Sequence, residues 1–308
     1  MLRTTLLAAL IASGTAQAGI IDMGSMMGGA NIFTLGSFSA QSSSVQGTII
    51  AGGDVTLSSY SINTGQKPAF GTHAVIAGGD IRLTGGSINH GQMYTGGSAV
   101  LKNISDPNIV SSASSPIDFA AAADYYLALS SALATAQGTG NVTKLHSGVV
   151  VNGSGKGGVD VFNVSADMFR QSSKWNLENL VAGQTLIFNI SGESATFNDG
   201  GVSFDPLSGY NVLFNFPDAK ALNVKGIIGS VLAPKAAVTA NWGAVHGQVV
   251  VGSWDSTIHV AANHYFVPTE LPGIKDAVGK LPAEVPEPGT WALMLAGVVA
   301  CLARRRSV

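Results

Sequence analysis

Charged side chains and cysteine are scarce in this chain of 308 residues. Charged residues make up 11%, against about 25% in an average globular protein. Lys and Arg number 16 and Asp and Glu 18, a formal net charge of −2. No basic patch is dense enough to neutralise a phosphate backbone, which argues against a nucleic-acid partner. The one cysteine, Cys301, excludes a disulfide framework and a cysteine-based zinc site. Catalytic signatures are missing too. There is no Gly-x-Ser-x-Gly elbow. His73, His90, His146, His246, His259 and His264 form no HExxH or His-x-x-x-His pattern, although coiling could bring His246 and His259 onto nearby turns. Gly153-Ser154-Gly155-Lys156-Gly157 looks like a phosphate loop but has Val150 where the first glycine belongs and Gly157 where Ser or Thr belongs. Acidic residues in the middle of the chain, Asp160, Asp167, Glu178 and Glu193, single out no pair for glycoside cleavage. The expectation is a non-enzyme with no cofactor and no metal.

What the chain does have is glycine and apolar residues. Glycines number 39, about 13% against a usual ~7%, and apolar residues reach 46%, enough for a large core. The glycines belong to a repeat. Ile49 to Asn63 reads IIAGGDVTLSSYSIN and Val75 to Asn89 reads VIAGGDIRLTGGSIN, an offset of 26 with nine of fifteen positions identical. A weaker copy is TGGSAVLKNI from Thr95 to Ile104. The pattern returns in Gly229 to Val238 and, 18 residues later, in Gly247 to Trp254.

Strands this short cannot stand alone, but stacked at ~4.8 Å they pair along a coil and bury a continuous core. Gly52-Gly53-Asp54 and Gly78-Gly79-Asp80 are read as corners where glycine permits unusual backbone angles, with Asn63 and Asn89 at matching positions. A β-sandwich also uses short strands and Gly-rich turns, but it gives no reason for near-identical segments at a fixed offset. The fold expected is therefore mainly β, a β-solenoid. One flanking α-helix is added: Ser115 as N-cap, Pro116 at the first helical position, Asp118 in the first turn, Phe119, Ala122, Tyr126, Leu129 and Leu133 on one face, and Gly138 or Gly140 as the end. Its tyrosines are read as packing residues with bonded hydroxyls. Asp54 and Asp80 follow glycine pairs, but calcium-binding repeats need a denser series, so turn aspartates are expected. Thr56 aligns with Arg82 and Ser59 with Gly85, which interrupts the flat threonine array that ice binding requires. Trp242, Trp254 and Tyr60 are candidates for stacking on sugars, and burial explains each equally well.

The two ends read as addresses. Arg3, the apolar run Leu6 to Ala12 and the small-residue site Ala16-Gln17-Ala18 form a signal peptide over 1–18, with the mature chain starting at Gly19. Residues 19–267 form the domain. Residues 268–284 form a Pro-rich linker, read as extended. The apolar run Trp291 to Ala303 is 13 residues, about 20 Å as a helix and short of the ~30 Å hydrocarbon core. Arg304, Arg305 and Arg306 follow and act as a cytoplasmic stop. A short hydrophobic helix with a basic stop suits a temporary membrane anchor.

Val285-Pro286-Glu287-Pro288, the apolar helix and the arginine cluster together resemble a PEP-CTERM sorting signal over 285–308. The resemblance implies an exosortase as processing partner, beside signal peptidase, in a Gram-negative bacterium that makes exopolysaccharide. Loss of Arg3, Arg304 to Arg306 and Glu287 would leave 12 basic and 17 acidic residues, a net charge of about −5. Asn31 to Asn63 and Tyr210 to Gly252 resemble the opening and closing portions of the choice-of-anchor A domain family. That implies an exported cell-surface or matrix protein to which adhesion is ascribed, with exopolysaccharide or another surface glycan as partner. Gly229 to Val238 also resembles the ice-binding β-solenoids, which carry a helix beside the coil. A β-helix polysaccharide hydrolase or lyase, and an ice- or surface-binding protein, stay open as alternatives.

Overall fold

The computed structural model describes residues 18–104, 114–146, 148–169, 174–196, 205–224 and 226–274. The signal-peptide core, Ala16, the PEP-CTERM residues Val285 to Pro288, the apolar run and Arg304 to Arg306 lie outside them. The described residues are mainly β with one helix, and most of their strands run parallel in a nearly closed, β-helix-like coil.

One face of the coil carries nine parallel strands in the order Val159–Ser165, Thr185–Ser191, Asn211–Asn215, Ser230–Val238, Val249–Asp255, Ile32–Thr34, Ile49–Ala51, His73–Ala77 and Gln92–Thr95. The first turn of the chain therefore lies beside the last, with Ile32 opposite Val249. A second face continues from Ser230–Val238 and Val249–Asp255 through Phe38–Gln41, Val55–Ile62, Ile81–Ile88 and Ala99–Lys102. A third, shorter one carries Ile227–Ile228, Ala244–His246 and His259–Ala261. The 26-residue repeat is one full turn of the coil: Ile49 pairs with Val75 and Val55 with Ile81. The 18-residue offset is a shorter turn, Val231 opposite Val249.

Period-2 alternation puts every second side chain inside. Phe162, Phe188 and Phe214 occupy one interior column, stacked at 4.9 and 5.2 Å. The same register continues through Val231, Val249, Ile32, Ile49, Val75 and Met93, all fully buried. Over the middle of the first face the outward column is buried as well, where the helix Phe119–Ala134 packs on it. That explains the unbroken apolar runs Ile49-Ile50-Ala51 and Val249-Val250-Val251, the signature of strands covered on both sides.

The helix differs from its sequence reading at both ends. Asp118 is the N-cap, its carboxylate accepting from the Ala121 N–H at 3.0 Å. Ser115 instead closes a small turn on Ile117. An aspartate in the β region directly before the first turn competes better than a serine three residues earlier. The helix stops at Thr135, before either glycine. Its face holds: Ala122, Tyr125, Tyr126, Leu129 and Leu133 are buried, and Tyr126 packs on Phe33 at 5.4 Å. Both tyrosine hydroxyls are bonded, Tyr125 to the Asp22 carbonyl at 2.6 Å and Tyr126 to the Met23 carbonyl at 2.9 Å. Burial, aided by the Asp22 charge, pushes the Tyr125 hydroxyl up to about 12.

The corner glycines serve a different purpose from the one expected. Gly52, Gly53, Gly78 and Gly79 do not have left-handed angles. A Cβ on Gly78 would instead sit on the Gly52 carbonyl oxygen, and one on Gly79 would sit on the Asp54 carboxylate. The corners need glycine because successive turns touch there, backbone to backbone. Asn63 and Asn89 follow the paired residues Ile62 and Ile88, but only Asn63 is left-handed, at φ 54°; in the next turn that conformation passes to His90. At the far end Ala18–Ile21 pairs antiparallel with Thr269–Pro272, so the start of the proline-rich segment is held in a strand.

Candidate functional site

Two side-chain ladders organise the surface. In the first, each corner accepts from the next. Ser37 Oγ accepts the Asp54 N–H at 3.2 Å, Asp54 Oδ1 the Asp80 N–H at 2.8 Å, and Asp80 Oδ1 the Ser98 N–H at 2.8 Å. Arg82 closes the ladder outside, 3.4 Å from Asp54 and 2.5 Å from Asp80. The backbone and hydroxyl of Ser98, with Arg82, hold the Asp80 carboxyl below its usual range. These aspartates therefore accept from a neighbouring turn, rather than from their own backbone as the sequence led one to expect.

The second ladder is absent from the sequence reading. Asn215 donates to Asn189 Oδ1 and Asn189 to Asn163 Oδ1, both at 2.9 Å. The same amides reach the helix carbonyls of Ser130 at 2.9 Å and Leu133 at 2.6 Å, and Asn163 reaches the Ala136 carbonyl just past the helix at 3.0 Å. The signal was available: Phe-Asn recurs at 162–163, 188–189 and 214–215, the same 26-residue spacing.

The chemistry-bearing candidates resolve as follows. Asp160 is fully buried and accepts from Thr139 Oγ1 at 2.8 Å, the Ser154 N–H at 3.0 Å and Gln184 at 2.8 Å. Burial alone would raise its carboxyl; the hydrogen bonds outweigh that and leave it below the ordinary value. The phosphate-loop look-alike is thus spoken for, with its Ser154 N–H bound to a carboxylate of this chain. Glu193 forms an exposed ion pair with Lys220 at 2.6 Å. His246 and His259 do lie on paired strands, but His259 opposes Ala244 and bonds Ser44, while His246 bonds Asn263. Among the described residues no group of three His, Cys, Asp or Glu could hold a metal. No helix among them is long and apolar enough to cross a membrane.

Of the three aromatic candidates, two are core. Trp254 is buried, stacks on Phe38 at 5.7 Å and donates to the Ser256 carbonyl at 3.3 Å. Tyr60 is 2% exposed and meets Phe38 edge-on. Trp242 alone is at the surface, 71% exposed, in a left-handed backbone at φ 52°. The second face carries a groove of about 270 Å³, lined by Ser39, Gln41, Thr56, Ser58, Asn241 and Asp255 among others. Register confirms that Thr56 opposes Arg82, so a charged side chain does break this face's hydroxyl column.

Comparison with known proteins fits this geometry. Residues 284–307 match the PEP-CTERM protein-sorting motif, which supports export to the cell surface and implies processing by an exosortase. No curated protein and no solved structure matches the chain. Residues 25–261, which include nearly every turn of the coil, match the family described as "Putative Ice-binding-like adhesive domain". The chain belongs to the ice-binding-like adhesive domain family.

Proposed function

We propose that this protein is a non-enzymatic adhesin of the cell surface or extracellular matrix, a relative of choice-of-anchor A proteins delivered by cleavage at both ends. Signal peptidase cuts after Ala18. The run Trp291 to Ala303, stopped by Arg304 to Arg306, holds the chain briefly in the inner membrane. An exosortase then cuts near Pro286-Glu287-Pro288 and frees residues 19 onward to join the exopolysaccharide or outer surface.

The observation that carries this reading is the order of the two matches on one chain: an adhesive domain over 25–261, then a sorting motif over 284–307. What supports it in the structure is a parallel coil in which Asp54, Asp80, Asp160 and Glu193 are each engaged by neighbouring groups of the chain. Deleting the gene should leave cells viable and reduce their attachment to one another or to a polysaccharide-coated surface. Restoring the full chain should recover attachment, and a chain lacking 284–307 should not. Attachment that is unchanged by deletion would reject the adhesive role.

A further inference from the structure

We infer that folding closes the signal-peptidase site: the Ala18–Gly19 bond lies in a strand paired with Thr269–Pro272, so it is cut before that second strand has crossed the membrane and paired. This rests on the proposed cleavage after Ala18 and adds its timing.

The strand Ala18–Ile21 runs antiparallel to Thr269–Pro272, with Ala18 opposite Pro272, Gly19 opposite Leu271, Ile20 opposite Glu270 and Ile21 opposite Thr269. The two strands form a sheet of their own, separate from the faces of the coil. A lone two-stranded ribbon is marginal in water, so burial has to hold this one. Ile21 is fully buried, and Leu271 and Ile274 are 6% and 5% exposed. Thr269 docks the ribbon on the coil: its Oγ1 lies 3.2 Å from Thr185 Oγ1 and accepts from the Asn211 amide at 3.1 Å. The bond to be cut therefore sits at the start of a docked ribbon, not in a free tail.

A signal peptidase reads small side chains before the cut. An extended segment is held through its main-chain hydrogen bonds, with alternate side chains in pockets. In the folded chain that main chain is already taken. Ala18 keeps its side chain exposed, but Gly19 is buried opposite Leu271. Even a methyl group has no room at Gly19: a Cβ there would lie 2.8 Å from the Ile274 carbonyl oxygen and 3.3 Å from the Ile274 side chain. Cutting the folded chain requires the ribbon to open first, and its rate follows the open fraction.

The direction of synthesis supplies an open period. About 250 residues separate Ala18 from Pro272, about 10–50 s of synthesis at ~5–20 residues per second. Until then Ala18–Ile21 lacks its partner strand. Cleavage leaves the ribbon usable, since the pairs made by Gly19, Ile20 and Ile21 stay with the mature chain. The new N-terminus is then tied to the root of the proline-rich segment.

The test is cell-free synthesis of the full chain, with detergent-solubilised bacterial signal peptidase added either during synthesis or after release and folding, and the product read by intact mass. Enzyme present during synthesis should yield a chain starting at Gly19, and the folded precursor should be cut at least about tenfold more slowly. Leu271→Pro, which removes a main-chain N–H from the ribbon, and Leu271→Asp, which puts a charge in its buried face, should erase most of that difference while the coil's melting transition is retained. Equal cutting of the folded precursor, or folded variants as resistant as the unaltered chain, would overturn the timing and leave cleavage after Ala18 standing. No cutting after Ala18 under either condition would remove the cleavage reading and the timing with it.

Discussion

Asn189 donates one amide hydrogen to the Leu133 carbonyl at 2.6 Å, joining the side of the coil to the last turn of the helix. Its neighbour Asn215 does the same one turn away, donating to the Ser130 carbonyl and accepting from the Ser130 hydroxyl at 2.6 Å. The Leu133 carbonyl also accepts from the Ala136 N–H at 3.0 Å, so the coil adds a second donor at the end of the helix. Replacing Asn215 with Ala strips partners from three buried groups at once. It should cost about 2–4 kcal/mol in urea unfolding, more than Asn163→Ala at the open end of the ladder.

The corners predict two kinds of glycine. Gly78→Ala meets a backbone oxygen that cannot move without shifting the next turn, and should destabilise by about 3 kcal/mol or more. Gly155 is left-handed at φ 73° with open space around it, so Gly155→Ala should cost only about 1 kcal/mol. Chemical denaturation of the two variants side by side checks the ranking.

His73 gives a pH dependence of definite sign. It is 8% exposed, and burial lowers its imidazole below the ordinary value of 6.5. The unfolded chain therefore binds the proton first. Stability should be full above pH ~6.5 and fall as the pH drops from there toward the lowered folded value, by at most about 1.4 kcal/mol per pH unit. Melting curves at stepped pH should show this decline, and His73→Gln should flatten that window.

Asp160 titrates the other way. Its folded carboxyl is held below the ordinary value of 3.8, so its contribution is present above that pH and disappears as acid takes the pH through the folded value. At neutral pH, Asp160→Ala leaves Thr139, Ser154 and Gln184 without their acceptor and should cost about 3 kcal/mol. Thermal melts at pH 7 check the size of this loss.

The coil was legible because one turn at Ile49 and the next at Val75 keep nearly the same residues. Helix burial was legible from the spacing of Ala122, Tyr126, Leu129 and Leu133. Its N-cap was misplaced because Ser115-Pro116 and Asp118 are both good starts, and only the entering backbone decides between them. The Phe-Asn ladder was overlooked because the residues around it vary: Val161, Ile187 and Leu213 occupy equivalent positions and disguise the period. The role of the corner glycines cannot be read locally, since what forbids a Cβ at Gly78 is an oxygen 26 residues away. The same holds for the groove, whose residues come from Ser39 to Thr257. Trp242 and Trp254 are indistinguishable by composition, and only folding buries one and leaves the other exposed.

The processing scheme is tested most directly by intact mass spectrometry of the protein from culture medium and envelope fractions. The account predicts a species beginning at Gly19 and lacking everything from Trp291 onward. A stable membrane-fraction species that retains Arg304 to Val308 would contradict it.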